Sequence, residues 1–127
     1  MNDSNNNLNT SSTVVNNCLI VTLPNDIGDD DIKIGASSVL MKVEKSSIRG
    51  VILDLSMMSS MDTYLFKILE KVSKTISLMG AVVVWVGLRP GVVSALIDLN
   101  IDISKIKAAM DLEQGISIIL NDNLNMC

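Results

Sequence analysis

Two short stretches, Val51-Ile52-Leu53-Asp54-Leu55 and Ala81 to Val86, are almost continuously apolar and rich in β-branched residues. Runs of this kind are what central strands need when both faces of the sheet are covered. Between them, Leu65, Ile68, Leu69, Val72 and Ile76 recur at i+3 and i+4 spacing, the stripe of an amphipathic helix, and Gly80 supplies a C-terminal stop. A strand, a helix and a second buried strand make a βα unit, so the fold class is α/β with a mostly parallel sheet and flanking helices.

The same grammar extends outward in both directions. Cys18 to Leu23 reads as a strand closed by Pro24, which has no N–H to give to a ladder. Asp29, Asp30 and Asp31 suit a helix start, where carboxylates meet free N–H groups and the positive dipole end, and Ile32, Ala36, Val39, Leu40 and Val43 form its inward stripe. After the second buried strand, Gly87-Leu88-Arg89-Pro90 turns into a third helix with Pro90 near its first position. Val92, Val93, Leu96 and Ile97 are expected to face inward there, and Asn100 fits a left-handed stop. Ile101 to Met110 is expected to carry a short edge strand. Asp111-Leu112-Glu113-Gln114 has capping-box spacing for a terminal helix reaching about Leu120.

Residues 1–17 hold seven asparagines with several Ser and Thr, a composition that predicts a disordered tail. The expected organisation is therefore a tail over residues 1–17, one domain over 18–120 and a C-terminal tail over 121–127. No charged and apolar leader pattern is present at the start, and the longest apolar run, Leu78 to Leu88, is far short of the ~20 residues that span a bilayer. A cytoplasmic location without membrane contact is expected.

Composition narrows the function. The chain has 10 Lys and Arg against 14 Asp and Glu, a formal charge of −4, and three aromatic residues, so neither electrostatics nor stacking supports nucleic-acid binding. It has no histidine, which removes Ser-His and Cys-His nucleophile pairs and His-ligated zinc. Cys18 and Cys127 lack metal-ligand spacing, and Gly87 with Gly91 match neither dinucleotide nor P-loop glycine patterns. No cofactor, metal or catalytic residue is expected.

One segment is sharper. Ser56 to Met61 forms the loop at the carboxyl end of the first buried strand, where open α/β sheets present their function, and a helix leaves it at Asp62. At about 100° per residue, Thr63 points about 160° away from the inward stripe, so its hydroxyl reaches solvent at a helix N-terminus. A phosphate there would meet the dipole and free N–H groups without unfolding the helix, and would add about −2 charge to the surface. On the residues alone the plainer reading is favoured, with Asp62 a simple N-cap and Thr63 an ordinary first-turn residue. Met57, Met58 and Met61 read either as an adaptable binding surface or as loop packing.

Gly50 to Leu55, Met61-Asp62-Thr63, Leu78-Met79-Gly80-Ala81, Gly87-Leu88-Arg89-Pro90 and Asp111-Leu112-Glu113-Gln114-Gly115 resemble, in order and spacing, the STAS domains of bacterial anti-sigma factor antagonists. The likeness covers roughly Cys18 to Leu120 and is nearest to the short stressosome scaffold members. It implies a STAS-type fold and a regulatory module, not an enzyme. The hydroxyl residue after the family's aspartate is phosphorylated by a serine/threonine switch kinase that the unphosphorylated assembly holds captive. That position is Thr63 here, with Met57, Met58, Ser59, Ser60, Met61 and Asp62 as the implied partner-binding surface. Short members commonly carry serine there and the sensor-bearing paralogues threonine, so Thr63 departs toward the paralogue while the chain's length fits the short form. The implied partners are the switch kinase and a sensor-bearing STAS paralogue within a large homo- or hetero-oligomer. A second regulatory threonine of those paralogues falls at Ala95, which leaves a single-site switch. A stand-alone ligand-sensing module, with a groove near Met57, Met58 and Arg89, is the competing expectation.

Overall fold

The two dense apolar runs lie side by side at the centre of a five-stranded sheet. The computed structural model describes residues 11–125. Its strands are β1 (Ser11–Val15), β2 (Cys18–Thr22), β3 (Gly50–Asp54), β4 (Val82–Val86) and β5 (Ala108–Ala109); its helices are α1 (Asp29–Lys45), α2 (Thr63–Leu78), α3 (Pro90–Asp98) and α4 (Leu112–Asn125). Strand order follows the chain, with β1 antiparallel to β2 and each later pair parallel. A sheet that advances in one direction through right-handed crossovers puts every crossover helix on the same face. Accordingly Leu19, Val21, Leu53 and Trp85 pack on that face with the buried residues of α1, α2 and α3.

α4 covers the opposite face. Ile119 is fully buried against Cys18, Ile20, Ile52, Val84 and Val86. This helix can lie so close only because Gly50 has no side chain: a Cβ there would sit 2.6 Å from Ile119. Burial pushes the Cys18 thiol pKa up, which keeps it protonated and unreactive, in line with a core role.

The helix boundaries follow local chemistry. α2 ends where Gly80 takes φ 97°, and Asn100, at φ 60°, closes α3, both as the stop residues predict. Asp111 Oδ1 accepts from Gln114 N at 2.9 Å, while Gln114 Oε1 accepts from Met110 N at 2.7 Å, so the capping pair forms with its return bond one residue earlier than usual. α1 differs in detail: its N-cap is Gly28, and the three aspartates occupy the first turn, where they meet the dipole.

Four expectations need correction. The stretch from Ser11 to Asn17 is not a tail but an edge hairpin: Asn16 and Asn17 both adopt positive φ, 53° and 64°, the requirement of a two-residue primed turn, and join β1 to β2 in register. Residues 1–10, and with them the rest of the expected tail, lie outside the described residues. α4 runs on to Asn125, so the C-terminal tail expected from residue 121 is helical over most of its length. Ile97, expected inward, is 57% exposed. Conversely Phe66, absent from the expected α2 stripe, is buried edge-to-face on Trp85 with ring centroids 5.6 Å apart.

Truncating Ile119 to alanine leaves a void between α4 and the sheet, and is expected to cost about 2–5 kcal/mol. Chemical denaturation measures it; an unchanged midpoint would mean that α4 is not part of the cooperative fold.

Candidate functional site

Parallel strands in register end together. Thr22, Asp54 and Val86 are neighbours across β2, β3 and β4, so the three following loops emerge side by side at the carboxyl edge. The backbone extends the zipper one residue further: Leu23 N donates to Asp54 O at 3.1 Å and Leu55 N to Val86 O at 2.9 Å. The β3–α2 loop, residues 55–62, is the middle one.

Its neighbours hold it on both sides. From the β2–α1 loop, Asn25 Oδ1 accepts from both the backbone N and the hydroxyl of Ser59, at 2.9 and 3.0 Å. From the β4–α3 loop, Arg89 Nε donates to Ser56 O at 3.0 Å, and Gly87, at φ 77°, passes so close that a Cβ would come within 2.8 Å of Ser56 Cβ. Within the loop, Asp54 Oδ1 accepts from Ser56 N at 3.0 Å. From below, Met58 and Met61 anchor it in the core, 1% and 4% exposed.

Burial of these two methionines corrects the expected partner surface. Met58 and Met61 are mainly packing residues, and of the three loop methionines only Met57, 54% exposed, stands out into solvent. Ser59, Ser60, Asp62 and Thr63 are all exposed.

Asp62 is the N-cap of α2 and accepts from Leu65 N at 2.8 Å. Thr63 is the first helical residue, exposed as the stripe geometry predicts. With Leu65 N taken by the cap, the N–H groups of Thr63 and Tyr64 have no intrahelical partner, an arrangement suited to an anion on the Thr63 side chain. Tyr64 is 43% exposed and adds an aromatic surface that the sequence reading missed, since nothing in its spacing distinguishes a first-turn tyrosine from a solvated one. Beside it, a shallow cavity of about 250 Å³ between the starts of α1 and α2 is lined by Asp26, Asp29, Asp62 and Tyr64. The local field is thus already negative. Arg89 belongs to this edge as a loop clamp. Ala95 is half-buried in α3, and Ser94 is exposed beside it.

Among the described residues, no cluster of three His, Cys, Asp or Glu is placed to hold a metal ion, and no helix is long and apolar enough to cross a membrane.

The STAS domain family model matches residues 9–113 of the chain. Solved structures with the same fold include a serine-to-glutamate variant of RsbS from Moorella thermoacetica, at TM-score 0.78 and 19% identity over 93% of this chain and 98% of that one. A chain from the stressosome, described as a signal integration and transduction hub, superposes at 0.76 with 20% identity over 87% of this chain and 96% of that one. The anti-sigma factor antagonist SpoIIAA in its unphosphorylated form superposes at 0.66 with 7% identity over 88% of this chain and 97% of that one. Identities this low establish the shared fold alone. No curated protein sequence matches the chain.

Replacing Gly87 by alanine forces a side chain into a left-handed backbone and against Ser56, at an expected cost of about 1–3 kcal/mol. Asp62→Ala removes the α2 cap, at about 1 kcal/mol. Thermal melting of both variants checks the pair: equal midpoints for wild type and both variants would contradict the pinned loop and the cap.

Proposed function

Because the chain belongs to the STAS domain family, we propose that it is a non-enzymatic, phospho-switched regulatory scaffold of a stress-response partner-switching pathway. In this reading it holds a serine/threonine switch kinase until Thr63 is phosphorylated, and it does so within a large cytoplasmic assembly that includes a sensor-bearing STAS paralogue. The observation that carries the reading is the position of Thr63: exposed, first in α2, directly after the Asp62 cap and at the end of a loop pinned on both sides.

The switch follows from electrostatics. In the unmodified protein the kinase meets Met57, Tyr64 and the exposed hydroxyls of Ser60 and Thr63, a neutral surface rimmed by carboxylates. Phosphorylation moves the γ-phosphoryl group of ATP to Thr63 Oγ1, leaving ADP and a dianion. Placed next to the Asp62 cap, that dianion imposes like-charge repulsion and desolvation on the contact, and the kinase is released. The helix N-terminus tolerates the new charge, so the scaffold stays folded and can be reset by dephosphorylation.

The reading predicts that the kinase bound to the immobilised chain elutes when ATP and magnesium are added, with phosphate mapped to Thr63 by mass spectrometry. Thr63→Ala should keep the kinase bound under the same conditions. Release from Thr63→Ala, or phosphate on Ser59 or Ser60 with none on Thr63, would refute the assignment.

A further inference from the structure

At the opposite end of α2, roughly 20 Å from Thr63 along the helix axis, the sheet has an unfinished edge. β4 pairs with β3 along all five of its residues, but with β5 only at Trp85 and Val86. Trp85 N donates to Lys107 O at 2.8 Å, so its backbone faces β5; strand alternation turns the N–H and C=O of Val83 the same way. There the ladder has already stopped. Before β5 the chain turns at Asp102, whose Oδ1 accepts from both the N and Oγ of Ser104, at 2.9 and 2.6 Å, and it forms no strand pairing with Val83.

A groove of about 620 Å³ lies beside this unpaired half-strand. Its walls are apolar at Leu78, Val83, Trp85 and Ile106, and Leu78 is 89% exposed. Its rim holds three lysines, Lys74, Lys105 and Lys107. Lys107 is paired with Asp122 at 3.5 Å; Lys74 and Lys105 have no carboxylate within ion-pair distance among the described residues, and Lys105 acts on Asp102 only from farther off. Glu70 is the remaining acid on the rim, so the groove is net positive on a chain whose overall charge is −4.

We propose that this groove receives an extended acidic segment of a partner protein, which adds as a strand beside β4 at Val83, lays apolar side chains against Leu78 and Ile106, and sets carboxylates on Lys74 and Lys105. Main-chain pairing supplies the docking geometry, while the two lysines select an acidic sequence over a neutral or basic one. The site is independent of Thr63 and would operate whether or not that residue is modified.

The test uses the full chain and follows the emission of Trp85, its single tryptophan, which lines the groove. The probe is an acetylated and amidated hexapeptide of alternating valine and aspartate. A saturable change in emission that weakens as salt is raised is expected. The same peptide N-methylated along one edge cannot complete the ladder and should fail to bind. The Lys74→Glu, Lys105→Glu double variant should bind about tenfold or more weakly; both lysines are exposed, so its circular dichroism and melting should match the wild type. No saturable change with the aspartate peptide overturns the proposal. So does equal binding by the N-methylated peptide, by an alternating valine and lysine peptide, or by the double variant.

Discussion

The register of three parallel strands sets the geometry of the loop edge on which the proposed switch depends. Because Thr22, Asp54 and Val86 lie level, the loops after β2, β3 and β4 must leave the sheet together, and the middle one has a neighbour on each side. A loop of residues 55–62 standing alone would sample many conformations and lose entropy on binding. Here Asn25 holds one flank and Arg89 the other, while Met58 and Met61 are sunk in the core beneath. The ordering cost is met when the protein folds, so a partner encounters a preformed surface.

In the proposed switch, that arrangement lets a charge act at this point without unfolding the domain. A phosphate placed within a strand or on the buried stripe of α2 would have to be desolvated and would unfold the domain. At the first residue of α2 it projects into water and faces the positive end of a helix dipole. A phosphate there would perturb only the surface, next to the Asp62 carboxylate. Binding and folding are thereby separated on one small domain.

Much of this is legible in the sequence because the signals are local. Continuous apolar runs at Val51 to Leu55 and Ala81 to Val86 define the sheet centre, and Asp62, Gly80, Pro90 and Asn100 mark helix ends through their own backbone chemistry. The hairpin at Asn16-Asn17 was obscured by composition: asparagines that disfavour order in bulk are the residues that accept positive φ in a tight turn. Met58 and Met61 could not be assigned from spacing, since a loop has no period and their burial follows from tertiary packing into the helix-side core. Ile97 illustrates the opposite case. Val92, Val93, Leu96 and Ile97 make a broad apolar arc on α3, and only the three-dimensional packing selects Val92 and Leu96 as its buried side.

In the proposed switch, modification of Thr63 changes surface charge and leaves the pinned loop and the sheet intact. Amide proton–nitrogen spectra of the isotope-labelled chain, before and after stoichiometric phosphorylation, test it residue by residue. The account predicts shifts confined to the β3–α2 loop, the first turn of α2 and the flanking loops that carry Asn25 and Arg89, with β2, β3, β4 and α4 unmoved. Shifts or broadening spread through the sheet would contradict it, and would mean that the phosphate acts by loosening the fold.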